Sequence, residues 1–221
     1  MNVQELNKEA IKESMKKIKE SYSRDELIMQ AVNALKEEES ITNTKYERLR
    51  SMYWLYWPEK VSKVEEMEEL SELNQEPPKT TMGYDLSDRE KQLIKEYQGN
   101  LQQEIKNKEL LEKFINEETM KLAPKTSQLI TPLLTARLIT LAGGFKKMAL
   151  MPSSTIQLLG AEKALFKHLT HGAKQGAKPA KNGIIITIKQ VQKDHHKGKA
   201  ARQLANEIMK TIRQDYFGGR E

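Results

Sequence analysis

The chain has 221 residues, 31% of them charged against 38% hydrophobic, a formal net charge of +6 and no cysteine. That balance argues against a single globule and for one compact domain joined to a long solvated element; the absence of thiols rules out disulfides and thiolate metal sites. The positive charge is localised, because residues 144–221 carry fifteen Lys/Arg against five Asp/Glu while residues 1–143 carry twenty-two against twenty-six.

The opening residues, with Glu5, Lys8, Glu9 and Lys12, contain no apolar signal core. No uninterrupted stretch approaches the roughly 18 apolar residues of a membrane span. The expectation is a soluble intracellular protein with no membrane partner. From residue 2 to 57 the composition is helical: Leu27, Ile28, Ala31 and Leu35, then Leu49, Met52, Tyr53 and Tyr56, recur at three- and four-residue spacing. This predicts one apolar stripe on a charged rod. The stripe lapses through Glu38, Thr42 and Lys45, which suits a polar register device better than a dry core. Pro58 ends the helix, since it lacks a donor and biases Trp57 out of the α region.

Residues 61–84 read as a mobile connection, acidic over 65–72 and punctuated by Pro77-Pro78 and Met82-Gly83. After Ser87, an expected N-cap, the residues Ile94, Tyr97, Leu101, Ile105, Leu111, Ile115 and Leu122 hold close to a heptad repeat. Two such arms fold back as an antiparallel pair, because neither buries its stripe alone. Thr131 before Pro132 reads as an N-cap and first turn, and residues 133–142 are apolar nearly all round until Gly143-Gly144. A segment from 145 to 151 ends at Pro152. Residues 161–171 read as a helix stopped by Gly172, residues 174–182 as a basic loop, and Ile184-Ile185-Ile186 as a short strand. Ala201, Leu204, Ala205, Ile208 and Ile212 form the core face of a last helix. The predicted fold class is mainly all-α. Antiparallel arms occupy 1–122, with a connection at about 60–86, and a compact helical domain occupies 123–221.

Enzyme signatures are weak. His195 and His196 are adjacent and so diverge, and no carboxylate set completes a metal shell around them. Gly198-Lys199 lacks both the earlier glycine and the following Ser/Thr of a phosphate-cradling loop. No serine or carboxylate has a recognisable partnered base. No catalysis, metal or cofactor is expected. The basic half points instead to a polyanion: Lys163, Lys167, Lys174, Lys178, Lys181, Lys189, Lys193, Lys197, Lys199 and Arg202 are placed to meet phosphates. With only Phe145, Phe166, Tyr216 and Phe217 available, recognition leans on backbone and shape rather than on base stacking. A solvated lysine face is the alternative reading of the same composition.

Four runs then resemble a known family, the Nop domain. They are Leu138-Ile139-Thr140-Leu141-Ala142-Gly143-Gly144, Met151-Pro152-Ser153-Ser154-Thr155-Ile156-Gln157, Gly160-Ala161-Glu162-Lys163-Ala164-Leu165-Phe166 and Arg213-Gln214-Asp215-Tyr216-Phe217. Residues 46–59, with Leu49-Arg50, Tyr53 and Tyr56-Trp57-Pro58-Glu59, resemble the coiled-coil arm that precedes it. The resemblance implies a scaffold of the archaeal box C/D ribonucleoprotein type, which supports guide-directed 2′-O-methylation of RNA and rRNA processing. The spliceosomal Nop-domain protein is a more distant relative. Implied partners are a box C/D or other kink-turn RNA, the ribosomal-protein-like subunit already bound to it, and a second copy joined through the coiled coil. The implied location is the cytoplasm of an archaeal-type cell, or the nucleolus or nucleus of a eukaryote.

Carried over by position, the resemblance assigns Ser153, Thr155, Gly160, Ala161, Glu162 and Phe166 to contact with the kink-turn-binding subunit. It assigns Ser154, Lys163, Lys167, Lys174, Lys178, Lys181, Asn182, Lys197, Lys199, Arg202 and Arg213 to RNA. More ordinary roles compete at three positions: Phe166 as a core side chain, Glu162 as a helix-start charge, and Arg213 as an ion-pair partner of Asp215 or Glu207. The sequence departs from the family where the rod starts almost at Met1, without the α/β module that binds the methyltransferase fibrillarin. Recruitment of fibrillarin would then need that module from elsewhere. Asn182 stands where many members have His, and residues 184–192 are less typical than their flanks. The competing function is a coiled-coil assembly protein, or a splicing-type Nop protein, with a weak non-specific basic face.

Overall fold

The computed structural model describes residues 3–161, 166, 183–188, 191–192 and 196–218. Among these residues every regular element is helical, as the patterning predicts: α1 (Val3–Ser21), α2 (Arg24–Tyr56), α3 (Pro58–Val61), α4 (Met67–Ser71), α5 (Asp88–Leu122), α6 (Pro124–Ile130), α7 (Pro132–Ala142), α8 (Phe145–Leu150), α9 (Ser153–Leu158), a 3-10 turn (Ile184–Thr187) and α10 (Lys197–Phe217). No helix among them is long and apolar enough to cross a membrane. The expected continuous first rod is broken at Tyr22-Ser23, where the Ser23 carbonyl accepts the Glu26 N–H (3.1 Å) and starts a fresh first turn. Contacts divide the chain into two units, residues 33–114 and residues 1–32 with 115–221.

In residues 33–114, α2 and α5 run antiparallel, since Lys45 meets Glu104 and Tyr53 meets Gln98. Leu49, Tyr53, Tyr56, Ile94 and Leu101 are buried between them. The polar lapse is a set of facing charges. Lys45 Nζ pairs with Glu104, whose other oxygen accepts from Asn107 (3.1 Å). Desolvation and the nearby Glu104 carboxylate raise Glu38 above the usual carboxylate range, while Lys45 lowers Glu104. Such a layer fixes register because sliding the helices would bury an unpaired charge.

The connection is packed rather than loose. Val61, Val64, Leu70 and Leu73 join the same core, and Gln98 Nε2 donates to the carbonyls of Leu70 (3.2 Å), Ser71 (2.8 Å) and Leu73 (3.0 Å). Glu59 accepts from Thr81 Oγ1 (2.8 Å) and the Met82 N–H (2.6 Å), bonds that hold its carboxyl below the usual range. Gly83 is required here, because a β-carbon would lie 2.1 Å from the Tyr56 carbonyl oxygen. Ser87 starts α5 as expected: its N–H (2.8 Å) and hydroxyl (2.7 Å) both donate to Glu90, the returning half of a capping box.

In the second unit, Ile28 is buried while Leu27, expected in the stripe, is exposed. Buried Asp25 accepts the Phe145 N–H at the start of α8 (2.6 Å). Helix α7 ends on a Schellman pair, with Gly144 N–H to Ile139 O and Gly143 N–H to Thr140 O, both 3.0 Å, and Gly143 left-handed at φ 75°. Thr131 occupies the N-cap position of α7 without a side-chain cap bond, because its φ of 93° is outside the extended region a capping hydroxyl needs. Its carbonyl instead accepts from the Thr135 N–H and hydroxyl. The expected strand at 184–186 is a 3-10 turn. With no strand beside it among the described residues, the segment closes two bonds locally, Ile186 N–H to Gly183 O and Ile188 N–H to Ile185 O, and Ile185 goes into the core. The predicted core face of α10, Ala201, Leu204, Ala205, Ile208 and Ile212, is buried as expected.

Candidate nucleic-acid interface

The best-formed part of the expected site is built on α9 and α10, which pack against each other. Pro152 is extended and supplies the carbonyl that accepts the N–H groups of Thr155 (3.0 Å) and Ile156 (3.2 Å). Ile156 anchors the turn in the core, leaving Ser154 and Thr155 exposed and Ser153 half-buried. Buried residues of α10 occupy one face. By helical spacing the opposite face is a stripe of Lys199, Arg202, Asn206, Lys210 and Arg213, all exposed. At about 1.5 Å per residue the stripe runs roughly 21 Å. Lys197 is exposed in the first turn of the same helix. Periodicity was enough to find Lys210 and Asn206, which the family resemblance passed over.

Arg213 connects the two elements. Its Nε donates to the Ala149 carbonyl (3.0 Å) and an Nη to the Met151 carbonyl (3.3 Å), the stretch that leads into Ser153. Asp215, offered as its ion-pair partner, instead accepts the N–H groups of Lys125 (3.1 Å) and Thr126 (2.9 Å) and the Thr126 hydroxyl (2.8 Å) at the start of α6. Pro124 at the first helical position, with no side-chain cap before it, leaves those donors in need of an acceptor. The local sequence poses that need but does not say which carboxylate meets it.

Gly160 has φ 86°, and a β-carbon there would sit 3.4 Å from the Ile184 and Leu141 side chains. Beside it the chain closes on itself: Gly183 N–H donates to Gln157 O (2.7 Å) and Ile184 N–H to Leu159 O (2.8 Å). The close backbone approach at this turn is made within the domain, at Gly183. Ala161 follows half-buried, its N–H donating to Leu158 O (2.9 Å). Phe166 is 70% exposed, which overturns its assignment as a core side chain. Glu162, Lys163, Lys167, Lys174, Lys178, Lys181 and Asn182 lie outside the described residues, as do the helix expected at 161–171 (apart from its described positions 161 and 166) and the basic loop.

What this arrangement offers chemically is a row of exposed cations and hydroxyls on a rigid helical base, suited to phosphates and 2′-hydroxyls. The family model described as "Nop: snoRNA binding domain, fibrillarin" matches residues 3–221. An uncharacterized NOP5 family protein of Methanocaldococcus jannaschii is 44% identical over 149 residues, 65% of this chain and 34% of that protein. Nucleolar protein 56 of Caenorhabditis elegans is 34% identical over 144 residues, 64% of this chain and 29% of that protein. Human nucleolar protein 58 is 37% identical over 110 residues, 49% of this chain and 20% of that protein. The chain thus spans about a third or less of the length of these relatives. A crystal structure of a fibrillarin/Nop5p complex shares the fold, with a TM-score of 0.59 at 23% identity over 98% of this chain and 71% of that one. With matching motifs, an all-helical fold and a family match running from α1 to the end of the chain, this protein belongs to the Nop family.

Proposed function

We propose that this chain is a non-enzymatic RNA-binding scaffold of a box C/D-type ribonucleoprotein. In this reading residues 123–221 recognise a kink-turn RNA together with its bound ribosomal-protein-like subunit, residues 1–122 act as coiled-coil arms, and 2′-O-methylation is carried out by a partner. The observation that carries it is the exposed basic stripe of α10 set beside the Ser153–Thr155 turn, within a chain matched to the family over residues 3–221. Ser154, Lys197, Lys199, Arg202 and Arg213, with Lys163, Lys167, Lys174, Lys178, Lys181 and Asn182, are the proposed RNA contacts. Ser153, Thr155, Gly160, Ala161, Glu162 and Phe166 are the proposed contacts to the small subunit. The 70% exposure of Phe166 makes it accessible for that role. A homodimer through the arms is supported by exposed Trp54, Leu55, Met82 and Tyr84 in the 33–114 unit. The fibrillarin contact seen in a distant structural relative is proposed to need a module beyond these residues. The working place is the cytoplasm of an archaeal-type cell or the nucleolus of a eukaryote.

The test is a gel-shift titration on box C/D kink-turn RNA, with and without the small subunit, at two salt concentrations. The expected result is tight binding only with the subunit present, weakened by Lys181→Ala more on kink-turn RNA than on plain duplex. Equal, steeply salt-dependent binding with and without the subunit would reduce the site to a generic basic face.

A further inference from the structure

Four helices of the second unit meet in a cleft that the kink-turn reading does not use. It lies where α2 begins, α5 ends, α6 begins and α10 ends, and its volume is about 470 Å³, within the roughly 300–1,000 Å³ of small-molecule sites. Its rim is basic: Arg24, Lys121 and Lys125 line it together with two carboxylates, Glu118 and Asp215. Both carboxylates are already engaged. Glu118 bonds Lys121 (2.6 Å), and the two oxygens of Asp215 accept the N–H groups of Lys125 and Thr126. Among the described residues the Arg24 and Lys125 side chains form no ion pair. Glu118 holds the Lys121 ammonium above its usual range and the Arg24 charge opposes that shift, so the two cations feel one another. Like charges gathered at one cleft repel until an anion joins them.

The wall is aromatic. Half-buried Tyr216 is fixed edge-to-face against Phe145 (5.2 Å, 82°) and Phe217 (4.9 Å, 86°), and both Phe145 and Tyr216 line the cleft. Exposed Gln214 adds an amide to the lining. Gln214 also stands one helical turn, about 6 Å, beyond Lys210 on the α10 ridge of Asn206, Lys210 and Gln214, so the basic stripe leads into the cleft. A ligand that satisfies this set carries an anion beside a flat ring with a hydrogen-bonding edge. We propose that the cleft receives one unpaired nucleotide of an RNA strand running along α10, with its phosphate at Arg24 and Lys125, its base against Tyr216 and its polar edge at Gln214. The proposal rests on the RNA-binding reading and adds to it a site for single-stranded RNA.

The experiment uses the whole chain with the small kink-turn-binding subunit. Gel shifts compare kink-turn RNA ending in a blunt stem with the same RNA carrying a single-stranded extension of about six nucleotides at one end or the other. One extended RNA should bind about tenfold more tightly than the blunt one. Arg24→Ala/Lys125→Ala should abolish that gain while leaving the affinity for blunt RNA and the melting curve unchanged, because both side chains are exposed. An extension of abasic residues should lose most of the gain. Equal affinity for blunt and extended RNA in the unaltered chain would overturn the proposal and leave the kink-turn reading standing, whereas failure to bind either RNA would overturn both. A gain that survives Arg24→Ala/Lys125→Ala, or that an abasic extension reproduces in full, would also overturn it, since phosphates on the basic face would then account for the gain.

Discussion

A β-carbon placed on Gly183 would lie 1.9 Å from the carbonyl oxygen of Leu159. That contact brings the 157–161 turn and the Gly183–Ile184 segment together, although the sequence between them is more than twenty residues long, and two backbone bonds lock it. Gly183→Ala must push backbone from backbone. It should lower stability by about 2 kcal/mol or more, within the range for overpacking in a closed site. Thermal melting checks the loss, and the proposed subunit contact at Gly160 and Ala161 should weaken with it.

Arg213 serves the fold before it serves any ligand, through the carbonyls of Ala149 and Met151. Lys cannot reproduce a planar fork bonded to two acceptors, so Arg213→Lys should behave nearly like Arg213→Ala in stability. Both should lower the melting temperature, on the order of 1 kcal/mol for lost side-chain-to-backbone bonds, and only Arg213→Ala, which also removes the charge of a proposed RNA contact, should flatten the salt slope of RNA binding. Arg202→Ala, a phosphate contact in the proposed reading, should reduce that slope by about one unit. Binding measured across a salt series separates the two roles.

Asp25 is buried, and its Oδ2 takes the Phe145 N–H. Asp25→Ala would leave that donor without an acceptor inside the domain. The expected cost is about 1–3 kcal/mol, read as a lower denaturant midpoint. Asn should recover part of the loss, since its amide oxygen accepts a hydrogen bond.

Burial, with a smaller contribution from Tyr56, pushes the Tyr53 hydroxyl up to about 12. The folded state therefore holds its proton over the range from about 10 to 12 in which the unfolded chain releases it. Stability from this residue is complete below the unfolded value near 10 and is lost as pH rises through the folded value, by roughly 2–3 kcal/mol at most. Tyr53→Phe should remove that alkaline loss. It should cost about 1 kcal/mol at neutral pH, because Gln98 Oε1 loses its donor. Melting temperatures of both proteins between pH 8 and 11 distinguish the effects.

The parts legible in the sequence share one property: their signal lies within a few residues. The heptads of α5, the five-residue core face of α10, the glycine pair closing α7 and the Pro58 break all followed from spacing. The errors share the opposite property. Leu27 fits the stripe but is exposed, because which residues of a broad apolar arc face inward depends on the partner helix. The Ile184–Thr187 turn has β-branched composition, yet with no adjacent strand among the described residues the Ile186 N–H closes locally on Gly183 and the Ile184 N–H reaches Leu159. The connection after α3 looks polar and loose until Gln98 reaches three of its carbonyls.

The candidate site divides the same way. The sequence by itself determined that the charge lies in residues 144–221, that the chain is helical and that its motifs are those of the Nop family, because composition, periodicity and motif order are properties of a linear string. Only the tertiary structure decided that Arg213 holds Ala149 and Met151, that Asp215 caps α6 and that Gly183 closes against Leu159. Each of those outcomes depends on which buried donors and acceptors meet across long separations, and the cost of leaving one unpaired is set by the folded neighbourhood and not by the residues on either side.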